Sequence, residues 1–327
     1  MKTITMDLSC ALAEAVGENG IHENDLRLTL GKISEYYTKL LARPFPFMTL
    51  PSTRFQFDEM YALADKASKT NIRNLVILGI GGSSLGTQTI FDALLHPLHN
   101  QEERFREGRP RYFILDNLDP HKMTAVVETI IPEIDRTFLV VISKSGETPE
   151  TISQFMLFNE LMKKSAGYRE RIVLITDMEQ GLLNKIAQKE GYPVLNLPPG
   201  VGGRFSVLTP VGLFPSAIMG INIKKMSDGA AGMAAHIVRY DAEENMAFAL
   251  AAILYLMYKN GKPIHVIMPY CERLAAFADW FRQLEAESLG KKGLGPTPTK
   301  SVGVTDQHSQ LQLYVEGPKD KCIVLLY

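Results

Sequence analysis

The chain has 327 residues, 46% hydrophobic and 22% charged, an ordinary globular composition whose length predicts about two domains at roughly 150 residues each. Its 35 Lys and Arg nearly cancel 36 Asp and Glu, which argues against nucleic-acid binding and against a disordered acidic tail. Cys10, Cys271 and Cys322 are far apart, at no metal-ligand or redox spacing, and read as reduced thiols of a cytoplasmic protein.

At the start, Asp7 interrupts any apolar stretch behind Lys2, so no secretory pattern forms. Leu8, Leu12 and Val16, then Leu26, Leu30, Ile33 and Tyr37, recur at helical spacing and predict an N-terminal helical segment over 1–50. Three prolines (Pro44, Pro46, Pro51) predict that 43–51 is a connector. The period then changes. LVIL (75–78), YFIL (112–115), FLVVI (138–142) and IVLI (172–175) are apolar throughout, as in strands buried on both faces. Helical patterns fill the gaps, so 51–198 is expected to be a parallel, doubly wound sheet.

The Pro- and Gly-rich PVLNLPPGVGG (193–203) predicts a domain boundary. A second α/β unit is expected over 199–327, with helices at 205–219, 228–259 and 272–289 and a strand at Ile264–Met268. The apolar MAFALAAILYLMY (246–258) is too short to span a bilayer and reads as a buried helix. CIVLLY (322–327) reads as a core strand on which the chain stops. The expectation is a partial chain whose second unit lacks its C-terminal part.

Five segments carry chemical content. GIGGSSLG (79–86) follows the LVIL strand, and its glycines allow a sharp turn and close approach of a ligand to the backbone. It is neither a P-loop, since Thr87 and Gln88 stand where Lys-Ser/Thr is needed, nor a dinucleotide fingerprint, since Ser84 takes the place of the last glycine. A tight turn without a ligand is the plain alternative; Ser83 and Ser84 at the helix start favour an anion or hydroxyl ligand. SKSGETPET (143–151) follows the FLVVI strand. Thr148 with Pro149 fits a capped helix start. Capping alone does not call for Ser143, Lys144, Ser145 and Thr148 together, which make a phosphate cradle. In VGGRFS (201–206), two glycines free Arg204 to reach into a cleft; taken alone, this stretch reads as a linker with a solvated arginine.

In FADWFRQLEAESLGKK, Leu274, Phe277, Phe281 and Leu284 are the expected core stripe, with Trp280, Gln283 and Glu287 on an adjacent face. Glu287 is either an i,i+4 partner of Lys291 or a partly buried carboxylate suited to general base work. His308 lies in TDQHSQ. The other histidines, His265 among them, are scattered without metal spacing and read as surface or satisfied core residues.

In this order and together, GIGGSSLG, SKSGET, VGGRFS, ESLGKK and TDQHSQ resemble the glucose-6-phosphate isomerase family. The resemblance implies an α/β fold of two sugar-isomerase (SIS) subdomains, each a parallel sheet flanked by helices, at 51–198 and 199–327. It implies an aldose–ketose isomerase that interconverts glucose 6-phosphate and fructose 6-phosphate through a cis-enediol, with no cofactor and no metal. Ser143, Lys144, Ser145 and Thr148 would bind the substrate phosphate, Gly82 and Ser83 the sugar, and Gln283 substrate or phosphate. Glu287 would move the proton, Arg204 would stabilise the intermediate, and His308 would assist ring opening from the neighbouring subunit of a homodimer. Neither nucleic acid nor membrane is an expected partner. The family also uses a lysine and a glutamine on a helix beyond the histidine motif, which this sequence does not reach, so weak turnover is expected. Two alternatives remain: a non-catalytic sugar-phosphate sensor of the same fold, and a nicotinamide-dependent oxidoreductase, which the defective fingerprint disfavours.

Overall fold

The computed structural model describes residues 4–239 and 241–327. By contacts the chain forms two compact units, 49–227 and 1–48 with 228–327. The first boundary lies near the expected residue 50. The second lies at 227 rather than 198, because the segment after 198 packs back onto the first sheet. Val211, Leu213, Phe214, Met219 and Ile223 share a core with Leu75, Ile77, Phe138 and Val140.

The unit 49–227 is built on a five-stranded parallel sheet, β1 (Asn74–Leu78), β2 (Arg111–Leu115), β3 (Thr137–Ile142), β4 (Ile172–Thr176) and β5 (Val194–Asn196), in the order β2-β1-β3-β4-β5. The four expected strands form. The fifth, only three residues long, falls inside the Pro- and Gly-rich stretch read as a boundary. Successive residues of a strand point to opposite faces, and both faces are covered. Leu75, Ile77, Phe138, Val140, Val173 and Ile175 join one core. Val76, Leu78, Leu139, Val141, Ile172 and Leu174 join the other, under Phe155, Phe158 and Met162 of the helix Pro149–Met162.

The unit of 1–48 with 228–327 carries a three-stranded parallel sheet, β6 (Ile264–Pro269), β7 (Thr297–Lys300) and β8 (Lys321–Leu326), in the order β7-β6-β8. β7, the polar stretch TPTK, has no apolar signature and was not expected. β8 is an edge strand, not the core strand its composition implies: Cys322 is buried while Ile323 and Leu325 are exposed. The expected helix over 228–259 is two, Ile223–Arg239 and Met246–Lys259. Asn245 caps the second by accepting from the amides of Ala247 and Phe248 at 3.2 and 3.3 Å. This apolar helix lies against Glu23–Leu41, where Leu30 and Tyr37 meet Phe248. Among the described residues no helix is long and apolar enough to cross a membrane. The expected connector at 43–51 is partly helical, since Pro46–Thr53 forms a short helix with Pro46 at its start, where a proline costs no hydrogen bond.

Three acids with raised pKa bear on the alkaline stability of this fold. Burial pushes the Cys322 thiol up to about 11 and, with the Asp92 charge, the Tyr112 phenol up to about 12; Tyr192 is raised in the same direction. In the unfolded chain these groups ionise from 9.0 and 10.0, so above pH 9 the folded state holds more protons and stability falls as pH rises. The urea midpoint is expected to decline from about pH 9 upward. A thiol titration of native protein should count Cys10 and Cys271, which are exposed, and reach Cys322 only in denaturant.

Candidate active site

In the unit 49–227, β1 and β3 are parallel neighbours, with Leu78 opposite Val141. The chain leaves β1 towards β2 on one side and leaves β3 towards β4 on the other. Connections that diverge in this way open a crevice beyond the carboxyl ends of the strands, where open α/β sheets receive ligands. GIGGSS and SKSGET are the two loops that leave these strands.

After β1, Gly81–Ser83 makes one turn of 3-10 helix before the helix Leu85–Leu94. Ser84 is buried and its hydroxyl donates to the Gly81 carbonyl at 3.1 Å. Ser84 thus closes the turn, while Gly82 and Ser83 stay partly exposed. Residues 201–206 belong to this same unit rather than opening the second one. They pack on the first loop so closely that a Cβ on Gly82 would stand 2.2 Å from the Gly203 carbonyl carbon. The Ser206 hydroxyl ties the loops together, 3.1 Å from the Gly82 carbonyl oxygen and 2.6 Å from that of Gly203. Next in the chain, the Arg204 guanidinium lies over the Phe205 ring at 4.6 Å, so it is held by stacking and is not a solvated linker residue.

After β3, Ser143 is buried and its hydroxyl is 2.8 Å from that of Thr148. Thr148 holds the expected N-cap position with Pro149 next, but its hydroxyl makes no cap bond. It is committed to Ser143 instead, which closes the loop on itself. Lys144 and Ser145 are exposed. The Ser145 hydroxyl accepts from the Glu147 amide at 3.2 Å, and the Lys144 carbonyl accepts from the Asp177 amide at 3.2 Å. Gly181 supports the loop from below, in the left-handed region at φ +94°, where a Cβ would stand 2.2 Å from the Ser145 carbonyl oxygen. Hydroxyls, an ammonium and the amino end of the helix Pro149–Met162 thus share one short loop, an arrangement suited to an anion.

In the other unit, Gln283 and Glu287 lie on the helix Ala275–Leu289. The Gln283 amide Nε2 donates to Glu287 Oε2 at 3.2 Å. Glu287 is exposed, not partly buried as expected, and the Lys291 ammonium donates to the Ser288 carbonyl at 2.8 Å. The fully buried positions facing away from Glu287 are Ala278 and Glu285; Leu274, Phe277, Phe281 and Leu284, the expected core stripe, are only half-buried. Glu285 bonds His265, and neither residue stood out in the sequence. Exposed His308 occupies the first turn of the helix Thr305–Glu316, whose Asp306 accepts from the Val302 amide at 2.6 Å. Among the described residues no group of three or more His, Cys, Asp and Glu is arranged to hold a metal.

The family profile described as Phosphoglucose isomerase matches residues 61–308. A glucose-6-phosphate isomerase of Carboxydothermus hydrogenoformans is 43% identical over 268 residues, 79% of this chain and 57% of that protein. One of Rubrobacter xylanophilus is 39% identical over 313 residues, 94% of this chain and 71% of its own. The chain thus spans somewhat over half to about 70% of these relatives' lengths. Among solved structures, a protein of Thermus thermophilus described as hypothetical aligns with TM-score 0.81 at 32% identity, covering 92% of this chain and 72% of that one. A glucose-6-phosphate isomerase of Chlamydia trachomatis aligns with TM-score 0.68 at 26% identity, covering 82% and 52%. The tagatose-6-phosphate ketose/aldose isomerase of Escherichia coli, with TM-score 0.53 at 14% identity over 93% of this chain and 71% of its own, shares the fold. With the profile matching three quarters of its length and relatives near 40% identity, this chain belongs to the phosphoglucose isomerase family.

Proposed function

We propose that this chain carries the machinery of a glucose-6-phosphate isomerase, an aldose–ketose isomerase that interconverts glucose 6-phosphate and fructose 6-phosphate. The observation that most supports this is the meeting of three loops in one unit: the Gly82 turn and the Ser143–Thr148 loop at adjacent strand ends, with Gly203 and Arg204 seated on Gly82. This is a cradle for a phosphate and the polar chain attached to it.

The roles follow from the chemistry. Ser143, Lys144, Ser145 and Thr148 bind the phosphate, and Gly82 and Ser83 contact the sugar. Glu287 removes the proton from C2 of the open-chain aldose and returns it at C1, and the reverse reaction runs the same path. One carboxylate suffices, because C1 and C2 are adjacent and lie within reach of one side chain. Charge develops on the enediol oxygens between the two steps, and Arg204 stabilises it. Gln283 orients the Glu287 carboxylate and helps to hold substrate. His308 assists ring opening, supplied by the neighbouring subunit of a homodimer. The reaction moves protons without net redox, so these roles call for neither a metal nor a redox cofactor.

Three measurements test these roles. In a coupled assay of fructose 6-phosphate conversion, the Glu287→Gln variant is expected to lose about 100-fold or more in kcat with little change in KM, because it removes only the proton carrier. Unaltered turnover would rule out Glu287 as the base. Lys144→Ala, which removes a charge-assisted bond worth about 1.5–3 kcal/mol, is expected to weaken glucose 6-phosphate binding about 10- to 100-fold by titration calorimetry. Gly82→Ala cannot be accommodated without separating the two loops, and is expected to abolish that binding while the protein still unfolds cooperatively in urea.

A further inference from the structure

The buried pair His265–Glu285 has no part in the roles above. His265 lies in β6, the middle strand of its sheet. Its Nδ1 is 2.7 Å from Glu285 Oε1, and the two residues are 2% and 8% exposed. A contact this short needs a proton between the two atoms. His265 Nε2 and Glu285 Oε2 have no hydrogen-bond partner among the described residues. Cys322 of β8 is in register with His265, and the Glu285 charge is the second cause, after burial, of its raised thiol pKa. Imidazole, carboxylate and thiol thus share one buried place beneath the helix Ala275–Leu289.

A buried pair of this kind adds little net stability compared with packed apolar residues of the same volume. What it supplies is direction. Ala278, Phe281 and Glu285 recur at i, i+3 and i+7 and so share one face of the helix. On that face Ala278 is smooth and resists rotation weakly, Phe281 packs on the core around Cys322, and Glu285 is bonded; the partly exposed Asp279–Lys300 pair, at 2.5 Å, holds the helix to β7 from another side. Gln283 and Glu287 lie on the opposite face, since two residues advance about 200° round a helix. A carboxylate about 5–6 Å from the helix axis moves about 1 Å for each 10° of rotation, and a misplacement of about 1 Å can cost on the order of 100-fold in rate.

We propose that the His265–Glu285 bond is a positioning device: it sets the rotation of the helix Ala275–Leu289 about its own axis, and with it the direction of the Glu287 carboxylate and the Gln283 amide. Its catalytic consequence rests on Glu287 being the base; its geometric content does not.

The test compares the double variant His265→Leu with Glu285→Met, which replaces the pair by apolar side chains, with Glu285→Gln, whose amide oxygen still accepts from Nδ1–H. Both are made in the full chain. The readouts are the urea midpoint, kcat and KM separately, and the NMR resonances of the Gln283 side-chain amide and the Glu287 carboxyl carbon, assigned with Gln283→Ala and Glu287→Gln. The double variant is expected to fold with a midpoint near that of the parent while both resonances shift. Its kcat should fall about 10- to 100-fold with KM changed less than about threefold, and Glu285→Gln should retain the parent resonances and rate. A folded double variant with both resonances unmoved overturns the proposal. If the double variant does not fold, Glu285→Met alone against Glu285→Gln gives the same comparison. A parent chain that does not bind glucose 6-phosphate counts against the proposed function; the resonances then still decide whether the pair sets the helix rotation.

Discussion

A parallel sheet buried on both faces has no side left for a ligand. In β1 and β3 every residue is buried, alternate residues being given to one core or the other. Chemistry is thereby confined to the ends of the strands. Successive connections part between β1 and β3, the kind of place where open α/β sheets receive ligands. The glycines of 79–82, the hydroxyls of 143–148 and the arginine loop of 202–206 all answer to that constraint. Two loops leave adjacent strand ends, and the third closes on the first because Gly82 lacks a side chain.

Hydroxyls in these loops divide into three kinds. Ser84 is spent on a carbonyl of its own loop and Ser206 on carbonyls of both its own loop and the Gly82 turn, so both serve as fasteners. Ser83 and Ser145 remain at least partly exposed, at the positions where a ligand oxygen would be met. Ser143 and Thr148 bond each other, a pairing of two donors that can each turn to an anion when one arrives. Preorganisation here comes from backbone geometry and short local bonds, which cost little reorganisation at the moment of binding.

The second unit solves a different problem. There the groups of interest ride on one helix, whose inner face carries Ala278, Phe281 and Glu285. Glu285 adds a directional bond to the middle strand beneath it. Polar groups buried away from the site can therefore matter to it through orientation rather than contact.

Much of this protein was legible in the chain as written. The four apolar runs 75–78, 112–115, 138–142 and 172–175 became β1 to β4, because a strand with no polar face must lie inside a covered sheet. The loops at 79–86 and 143–148 stood out, because glycine and hydroxyl runs directly after such strands have few other uses. Three things were not legible. β5 and β7 are short and carry no apolar period, so only pairing with β4 and β6 makes them strands. The boundary near 227 depends on residues 201–223 packing back on the first sheet, a long-range contact that local composition does not encode. His265 and Glu285 lie twenty residues apart and look like a scattered histidine and one more helix carboxylate; the folded chain alone brings them to 2.7 Å. The amino-acid sequence by itself thus determined the first four strands of the first sheet, the glycine and hydroxyl loops that follow two of them, and the family. Tertiary structure decided which loops share a unit, which helix face is buried and which polar pairs form, because these depend on contacts between segments far apart in the chain, where local periodicity carries no signal.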